Sequence, residues 1–305
     1  MWNCADTNAC GCGCGIVERE TGRTGRYDAV MPLPPDAQLV ARLRAAGCVF
    51  AEEEAALLTE AAQARTDLAS RLEHLVARRV AGEPLEQVLG WAEFAGRRIL
   101  LEPGVFVPRR RTEVLAAEAV SLVREAARGD HVPVVVDLCC GAGAIGAAIM
   151  DAAGTVELVA ADLDPAAVRA ARRNLEPLGA LVVEGDLFDP LPEWVRGRID
   201  VLAVNAPYVP TAEIAMMPPE ARDHEAHVAL DGGTDGLDVH RRVVASAHDW
   251  LADGGSLLIE ASRRQATTTA RLLEAAGLRE VRIEHDTEIE GTAVIGRKAP
   301  TGPSA

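Results

Sequence analysis

The chain has 305 residues, of which 49% are hydrophobic and 25% charged, and its formal net charge is −15. This length and composition are typical of a globular protein of about two domains. The negative charge argues against a sequence-independent grip on a nucleic acid backbone, which needs many Lys and Arg contacts to phosphate, so no direct nucleic acid partner is expected. No apolar run approaches the ~20 residues of a membrane-spanning helix and no secretion leader opens the sequence, so we expect a cytoplasmic protein without membrane contact.

The first segment, residues 1–30, is rich in Gly, Thr and Arg and has no periodic pattern. We interpret it as a disordered leader or a misassigned start, with Met31 as the true first residue. Of the seven cysteines it holds Cys4, Cys10, Cys12 and Cys14. Their spacing is tighter than that of a zinc-binding pair, and no His or second pair follows, so we expect no metal site.

Residues 31–81 are rich in Ala, Leu, Glu and Arg and predict three helices, at 36–46, 51–64 and 66–80. Asp36 is suited to cap the first of them, because its side chain can accept from a free backbone N–H. One face of the third helix is predicted from the spacing of Leu68, Leu72, Leu75 and Val76. Core packing explains these apolar stripes best, so we predict a small helical domain.

The next segment, residues 82–113, changes to short aromatic and β-branched runs separated by glycines and prolines. This pattern predicts a short hairpin that links two domains. Its basic run, Arg109 to Arg111, is on charge alone typical of a solvated surface. A helix is predicted from Thr112 to about Ala127.

In the region 114–298, predicted strands and helices alternate, which is typical of a parallel sheet with right-handed crossovers, and 299–305 is predicted to be a tail. The predicted strands are 134–137, 156–161, 181–184, 201–204 and 256–259, with a closing pair at 281–283 and 293–295. In open α/β sheets, ligands bind beyond the carboxyl ends of the strands. The residues that fall there are Asp137, Asp162, Asp186 and Asn205, and we expect them to meet at one site.

A turn of small residues, Cys139 to Gly146, follows the first strand of this region. Small residues let a ligand lie against the backbone at the N-terminus of the next helix. Gly141, Gly143 and Gly146 spell G-x-G-x-x-G, and an acid follows about 20 residues later, as in dinucleotide-binding proteins. Asp137 favours a different ligand, because its carboxylate would attract an amino group, such as that of S-adenosylmethionine (SAM), and repel a pyrophosphate. We favour SAM; an NAD-type oxidoreductase and a turn that binds nothing stay open.

The segment Asn205-Ala206-Pro207-Tyr208 follows the fourth strand, where a substrate would meet the cofactor. An amide or exocyclic amine nitrogen is a poor nucleophile because its lone pair is delocalised. Two acceptors that take both its N–H groups would return electron density to it and fix its direction. The side-chain oxygen of Asn205 and the backbone carbonyl of Ala206 could be those acceptors, while Pro207 stiffens the turn and Tyr208 packs on a planar group.

Several motifs together resemble the release-factor glutamine methyltransferases (the HemK/PrmC family), over roughly Ala37 to the end of the chain. The resemblance rests on Glu83-Pro84-Leu85 with Gly90-Trp91-Ala92-Glu93-Phe94, on Val107-Pro108-Arg109-Arg110-Arg111-Thr112-Glu113, on Asp137-Leu138-Cys139-Cys140-Gly141-Ala142-Gly143, on Asn205-Ala206-Pro207-Tyr208 and on Ala229-Leu230-Asp231-Gly232-Gly233-Thr234-Asp235-Gly236-Leu237. It implies an α/β fold of class I SAM-dependent methyltransferases, a Rossmann-like sheet with a small N-terminal helical domain and a linking hairpin.

The resemblance also implies an activity and a set of roles. The helical domain would dock a protein substrate, a peptide chain release factor, and the catalytic domain would use SAM to methylate the side-chain amide of a glutamine in a Gly-Gly-Gln loop. The methionine end of the cofactor would be lined by Cys139, Cys140, Gly141, Ala142 and Gly143. Asp162 would hold the ribose hydroxyls, Asp186 and Leu187 would flank the adenine, and Asn205 to Tyr208 would hold the glutamine amide.

Two positions depart from the family pattern, and both lie on the predicted substrate side. Ala206 stands where the family usually has proline, and Ala226 stands where a proline usually follows the glutamate. Two further hypotheses therefore stay open. One is a SAM-dependent methyltransferase that acts on another planar nitrogen, in a ribosomal protein, a nucleobase or a small molecule, and the other is a module that binds SAM without turnover.

Overall fold

The computed structural model describes residues 36–63 and 67–300. The predicted leader 1–30, the proposed start at Met31, the four clustered cysteines and residues 301–305 of the predicted tail lie outside the described residues. From Asp36 onward, the described residues belong to one compact unit.

The N-terminal part consists of three helices, α1 (Ala37–Ala45), α2 (Ala51–Gln63) and α3 (Leu68–Val80). The carboxylate of Asp36 accepts from the backbone N–H of Gln38 at 2.8 Å, as the predicted cap requires. These helices have their own hydrophobic core, separate from those of the sheet. One expectation was wrong: Leu68 is 44% exposed, because α3 packs mainly through its second half, where Leu75 and Val76 are buried.

The linking segment contains the predicted hairpin and one helix that the sequence analysis missed. Strands β1 (Trp91–Phe94) and β2 (Arg97–Leu100) pair antiparallel across a tight turn at Ala95 and Gly96, which both have positive φ. This geometry suits the twist of a two-residue hairpin. The missed helix, α4 (Leu85–Leu89), starts after a proline and ends at Gly90 with φ 80°. Its five residues are too few to show helical periodicity.

The rest of the chain forms one seven-stranded sheet with helices on both faces. Its helices are α5 (Glu113–Ala126), α6 (Ala144–Ala153), α7 (Pro165–Leu175), α8 (Pro219–His224), α9 (Asp238–Trp250) and α10 (Ala266–Ala275). Its strands are β3 (Val134–Leu138), β4 (Glu157–Asp162), β5 (Leu181–Glu184), β6 (Ile199–Val204), β7 (Leu251–Glu260), β8 (Arg279–Asp286) and β9 (Gly291–Arg297). The strand order is β5-β4-β3-β6-β7-β9-β8, and only β9 runs against its neighbours.

Strand β3 shows why the sheet needs helices on both sides. All five of its residues are buried. Val134, Val136 and Leu138 pack into the core on one face, and Val135 packs into the core on the other. Such a strand must be apolar throughout, which is the pattern of a parallel sheet covered on both faces.

Strand β7 is longer than predicted, because a bulge lies inside it. Ile199 pairs with Leu251 and Val201 with Ser256, so the register shifts between these pairs. Gly254 adopts φ 80° within this irregular stretch. Gly254 and Gly255 precede the predicted strand 256–259, whereas the structure includes them in an irregular part of β7. None of the helices in the described part of the chain is long and apolar enough to cross a membrane.

Candidate active site

A cavity of about 480 Å³ lies at the carboxyl ends of strands β3 to β6. It falls in the size range of small-molecule sites. The predicted site residues that line it are Cys139, Cys140, Gly141, Ala142, Asp162, Asp186, Leu187, Asn205, Ala206, Pro207 and Tyr208. Two predicted residues, Asp137 and Gly143, are not among the lining residues. The structure thus brings eleven of the thirteen predicted residues to one cavity.

The glycine turn uses its own N–H groups internally. Gly141 donates to Asp162 Oδ2 at 2.8 Å, Gly143 donates to the Cys140 carbonyl at 2.8 Å, and Gly146 donates to Asp137 Oδ2 at 2.9 Å. A pyrophosphate site of the dinucleotide type depends on free backbone N–H groups at such a turn. Because all three glycine donors already have acceptors, this turn does not suit a pyrophosphate.

Asp137 corrects one prediction, that its carboxylate would hold the amino group of the ligand. The side chain is fully buried beneath the turn, and Oδ1 has no hydrogen-bond partner within the described residues. Burial raises the pKa of Asp137 to about 7, although the bond from Gly146 opposes this shift. The carboxylate faces the first turn of α6, where it accepts from the N–H of Gly146. Asp137 therefore shapes the turn from behind.

Gly143 also supports the turn from behind the cavity. It adopts φ 80°, and a Cβ there would lie 2.7 Å from Leu175 Cδ1. Only glycine meets both conditions without displacing the side chain of Leu175.

Two carboxylates mark the cofactor side of the cavity. Asp162, at the end of β4, accepts from the backbone of Gly141 and, through Oδ1, from Asp164 N at 2.9 Å. Burial raises the pKa of Asp162, and these backbone bonds oppose the shift. Asp186 accepts from Arg242 Nη2 at 2.7 Å at the rim. Leu187 beside it adopts φ 51°, as the turn there requires.

The Asn-Ala-Pro-Tyr turn lies opposite, at the end of β6. Asn205 Nδ2 donates to Thr112 Oγ1 at 3.4 Å. Ala206 is only 1% exposed, and within the described residues neither of its backbone groups has a hydrogen-bond partner. Unpaired buried carbonyls are rare in proteins, because each costs about 1–3 kcal/mol. The Ala206 carbonyl is thus an acceptor without a partner in the wall of the cavity.

Two residues that the sequence analysis missed hold this turn from the side. The hydroxyl of Tyr208 donates to Glu260 Oε1 at 2.9 Å. Gln265 Nε2 donates to the Tyr208 carbonyl at 2.9 Å and to the Asp235 carbonyl at 3.0 Å. Glu260 is the last residue of β7, whereas the predicted strand ended at residue 259. With the correct strand end, the rule that ligands bind at the carboxyl ends of strands would have included Glu260.

The remaining wall joins the linking segment to the loop after β6. Arg109, which the sequence analysis treated as solvated surface, donates to the buried carboxylate of Glu225 at 2.5 Å, and Val107 N donates to the same oxygen at 3.2 Å. Ala226 N donates to the Gly104 carbonyl at 3.0 Å, a bond that a proline could not make. Arg109 also lines the cavity.

The fold and the site together define a class I SAM-dependent methyltransferase. The sheet is mostly parallel, with a glycine turn after β3, a carboxylate at the end of β4 and an Asn-Ala-Pro-Tyr turn after β6. The family model described as "Methyltransferase small domain" matches residues 98–220. Within residues 36–63 and 67–300, no group of three or more His, Cys, Asp and Glu side chains is placed to hold a metal ion.

Comparison with curated proteins gives the family. The release factor glutamine methyltransferase of Geobacter sulfurreducens is 38% identical over 205 residues, which is 67% of this chain and 69% of that protein. That of Bradyrhizobium diazoefficiens is 36% identical over 79% of this chain and 85% of its own length. This chain belongs to the release factor glutamine methyltransferase family, and its cofactor is S-adenosyl-L-methionine. A further relative, the 4-amino-L-phenylalanine/4-methylamino-L-phenylalanine methyltransferase of Streptomyces pristinaespiralis, is 38% identical over 68% of this chain and 70% of that protein.

The cavity fits this cofactor. The carboxylates of Asp162 and Asp186 suit hydroxyl and amino donors, and the N–H groups of the three glycines already have acceptors and are not available to a phosphate. Its lining of Cys139, Cys140, Ala142 and Ile145 is apolar enough for an alkyl chain beside the turn.

Proposed function

We propose that this chain transfers a methyl group from SAM to the side-chain amide nitrogen of a glutamine, in the Gly-Gly-Gln loop of a peptide chain release factor. The observation that carries the proposal is the pair of acceptors at Asn205 and Ala206. The amide of Asn205 is oriented by the bond from its Nδ2 to Thr112, so its oxygen is directed elsewhere. The Ala206 carbonyl beside it has no partner within the described residues.

These two oxygens match the two N–H groups of a primary amide. Accepting both hydrogens raises the electron density on the nitrogen and holds its lone pair along one direction. Bound SAM supplies an electrophilic methyl group on a sulfonium, whose leaving group is a neutral thioether. The chain then needs no nucleophile of its own, and positioning of the amide supplies most of the rate enhancement.

The other site residues would bind the cofactor and shield it. Cys139 to Ala142 would line its methionine end, Asp162 would accept from the ribose hydroxyls, and Asp186 with Leu187 would flank the adenine. Asp137 and Gly143 would keep the turn in shape from behind. Pro207 would stiffen the acceptor turn, and the ring of Tyr208 would pack against the planar amide.

The division of the chain follows from the same proposal. The helices of residues 31–81, with their separate core, would dock the protein substrate, the segment 82–113 would link the domains, and residues 114–298 would carry out catalysis. Exposed apolar side chains at Val49 (82%) and Phe50 (67%) in the α1–α2 turn suit such docking. Because release factors act on ribosomes, the proposal places the protein in the cytoplasm.

The test is transfer of a radiolabelled methyl group from SAM to a purified release factor. A second copy of the release factor, with the Gly-Gly-Gln glutamine changed to alanine, gives the substrate control. We expect label on the first and none on the second. The enzyme control is Asn205→Ala, which should abolish transfer while SAM affinity changes little. Label on both release factors, or full turnover by Asn205→Ala, would overturn the proposal.

The relative from Streptomyces pristinaespiralis favours one second candidate, an arylamine acceptor. An aromatic amino group also has a delocalised lone pair and two N–H groups, so the same two acceptors suit it. Adding 4-amino-L-phenylalanine to the same assay in place of the release factor separates the candidates. Label on the amino acid and none on the release factor would assign the small-molecule acceptor.

A further inference from the structure

One buried glutamine lies behind the wall that joins the linking segment to the loop after β6. Two strips of this wall line the cavity: a linker strip of Phe106, Pro108 and Arg109, and a loop strip of Met217, His227 and Val228. Gln87, in α4, is 8% exposed and is not among the lining residues. Its side chain can therefore influence the cavity only through residues that line it.

The side-chain amide of Gln87 is bonded to the backbone beside both strips. Nε2 donates to the Val105 carbonyl at 3.1 Å and to the His224 carbonyl at 3.2 Å, and Oε1 accepts from Gly104 N at 3.4 Å. Val105 directly precedes the linker strip, and His224 lies shortly before the loop strip residue His227. Because both N–H groups of the amide face carbonyl oxygens, the amide can take only this orientation. One side chain thus holds two cavity-lining segments together.

The loop that carries the second strip is closed at its base. Val209 N donates to the Leu230 carbonyl at 3.0 Å, and Gly232 N donates to the Val209 carbonyl at 2.9 Å. For the described residues 212–229, every hydrogen bond and ion pair that leaves the loop goes to residues 79–109. The end of β6 therefore fixes the base of this loop, whereas the end of α3, α4 and the linking segment fix its tip.

Gln87 holds the strips from an element that is itself fixed. Val88, the next residue of α4, is 4% exposed and belongs to the core of the helical part. Two further bonds, from Ala226 N to the Gly104 carbonyl and from Val107 N to Glu225 Oε1, run directly between the linking segment and the loop. These two bonds join the segments to each other, and Gln87 joins both of them to the helical core.

We propose that Gln87 is a positioning residue for the methyl acceptor. It fixes the distance between the linker strip and the loop strip, and so the width of the cavity on the acceptor side. An acceptor nitrogen reacts efficiently only when it is held close to the methyl group and in line with it, so a wider cavity slows transfer. The inference rests on the proposed function for its effect on turnover, but the contact between the two segments can be measured without any substrate.

The matched variants Gln87→Met and Gln87→Glu nearly keep the length of the side chain. Methionine donates to neither carbonyl, and a carboxylate can only accept, so it would also repel both carbonyl oxygens. We expect kcat on the release factor to fall about tenfold in Gln87→Met and about a hundredfold in Gln87→Glu, the effect of a small misplacement of the reactants. The dissociation constant of S-adenosylhomocysteine should change less than about threefold, because neither strip belongs to the cofactor side.

A loss of folded protein has to be separated from a loss of positioning. Calorimetric titration with S-adenosylhomocysteine counts the intact cofactor sites, so turnover is expressed per counted site. A purely structural role of Gln87 would lower the number of sites and the turnover in proportion, and turnover per site would stay unchanged. Thr268→Glu, at an exposed position of α10, is the control for an added carboxylate and should match the wild type in both quantities.

The substrate-free measurement is hydrogen exchange, followed by mass spectrometry on peptides that contain Val107 or Ala226. The N–H groups of these two residues bond across the linking segment and the loop, so their exchange reports separation of the two segments. We expect exchange at both positions to be about tenfold faster in Gln87→Met than in the wild type, and exchange in β3 to be unchanged.

Two results would overturn the inference: a turnover per site within about twofold of the wild type in both Gln87 variants, or unchanged exchange at Val107 and Ala226. If Gln87→Glu shows no intact cofactor sites, Gln87→Met decides the question by the same two measurements. If the wild type methylates no release factor, the proposed function fails, and the exchange measurement still decides whether Gln87 holds the two strips together.

Discussion

Arg79 donates from Nη1 to Glu220 Oε1 at 2.7 Å, a contact that joins residues 141 positions apart. Arg79 belongs to α3, whereas Glu220 lies in α8, between the cavity-lining residues Met217 and His227. The same guanidinium donates from Nε to Glu54 Oε2 of α2 at 2.6 Å. Burial alone would lower the pKa of Arg79, but its bonds to Glu54 and Glu220 raise it above its usual value. This cation therefore ties the helical part to the loop on the substrate side.

Removing this cation should destabilise the protein strongly. Arg79→Met leaves Glu54, whose side chain is only 10% exposed, without its ion-pair partner. An uncompensated buried charge costs about 3–5 kcal/mol, and urea unfolding would measure it. The control is Arg42→Met, which breaks the exposed pair with Glu73 and should change stability far less, because solvent screens that pair. Equal losses of stability in the two variants would show that the ion pairs of Arg79 stabilise the protein no more than an exposed surface pair does.

The second prediction concerns the glycine that lies under the acceptor turn. Gly236 adopts φ 75°, and an added Cβ would clash with the Tyr208 carbonyl oxygen and with Nε2 of Gln265. Gly277 adopts φ 86° but has open space around the same position. The free energy of unfolding of both alanine variants should fall by about 1–2 kcal/mol, because alanine has to adopt a left-handed backbone conformation there. Only Gly236→Ala should lose more than this and also slow methyl transfer. Equal kcat and equal unfolding energies for the two variants would contradict the clash.

Much of the site could be predicted because its sequence signals are local. The run of valines in β3 predicts a buried strand, and the glycine turn follows it within a few residues. Asp162 ends a strand, Asp186 and Asn205 each follow a strand within two residues, and parallel topology brings strand ends together. The start of α7 is likewise marked in the sequence by two adjacent residues, Asp164 and Pro165, and the Asp164 side chain accepts from Ala166 N at 2.8 Å.

What could not be predicted depends on contacts between distant segments. Nothing near Glu260 in the sequence indicates that its carboxylate meets Tyr208, which lies 52 positions earlier. The predicted direction of the Asp137 side chain was wrong. Strand periodicity indicates on which face of the sheet a side chain lies, but it does not show whether a carboxylate turns to the cavity or to a helix N-terminus. The bond from Arg109 to Glu225 spans 116 positions and converts an apparent surface charge into a buried contact.

The third prediction is a pH dependence of stability due to Asp137. Its pKa in the folded protein is about 7, raised by burial from an ordinary value of 3.8. The stability that it contributes is full below the unfolded pKa and is lost as the pH rises through about 7, because ionisation leaves a buried charge. Asp137→Asn does not titrate, so between pH 5 and pH 8 its unfolding free energy should improve relative to wild type by on the order of 2–3 kcal/mol.

Chemical denaturation of both proteins at several pH values measures this difference. Asp130→Asn, at an exposed position, is the control for removing one carboxylate. A difference between Asp137→Asn and wild type that stays constant from pH 5 to pH 8 would show that Asp137 remains ionised throughout.

The fourth prediction separates the two roles assigned to Asp162. Its carboxylate accepts from Gly141 and Asp164, and in our proposal it also accepts from the ribose hydroxyls. Asp162→Ala should weaken cofactor binding by about 1–3 kcal/mol and should also loosen the turn. Asp162→Asn keeps one acceptor oxygen, so its loss of affinity should be smaller. Calorimetric titration with S-adenosylhomocysteine, alongside thermal melting, tests both, and an unchanged affinity in Asp162→Ala would discard the ribose role.

The last prediction compares the two positions at which alanine replaces the proline usual in the family. Ala206 N–H has no hydrogen-bond partner within the described residues, so Ala206→Pro removes no bond and stiffens the turn that holds the amide. We expect its turnover on a release factor to equal or exceed that of the wild type, with a gain in stability of about 0.4–1 kcal/mol.

Ala226→Pro should behave differently, although Ala226 already has φ −61°, which proline can adopt. Its N–H donates to the Gly104 carbonyl, and losing that bond costs about 0.5–1.5 kcal/mol, which offsets the gain from a stiffer chain. Urea unfolding and methyl transfer, measured on both variants, should therefore rank Ala206→Pro above Ala226→Pro. A collapse of turnover in Ala206→Pro alone, with stability retained, would mean that the turn is shaped for an acceptor other than the glutamine amide.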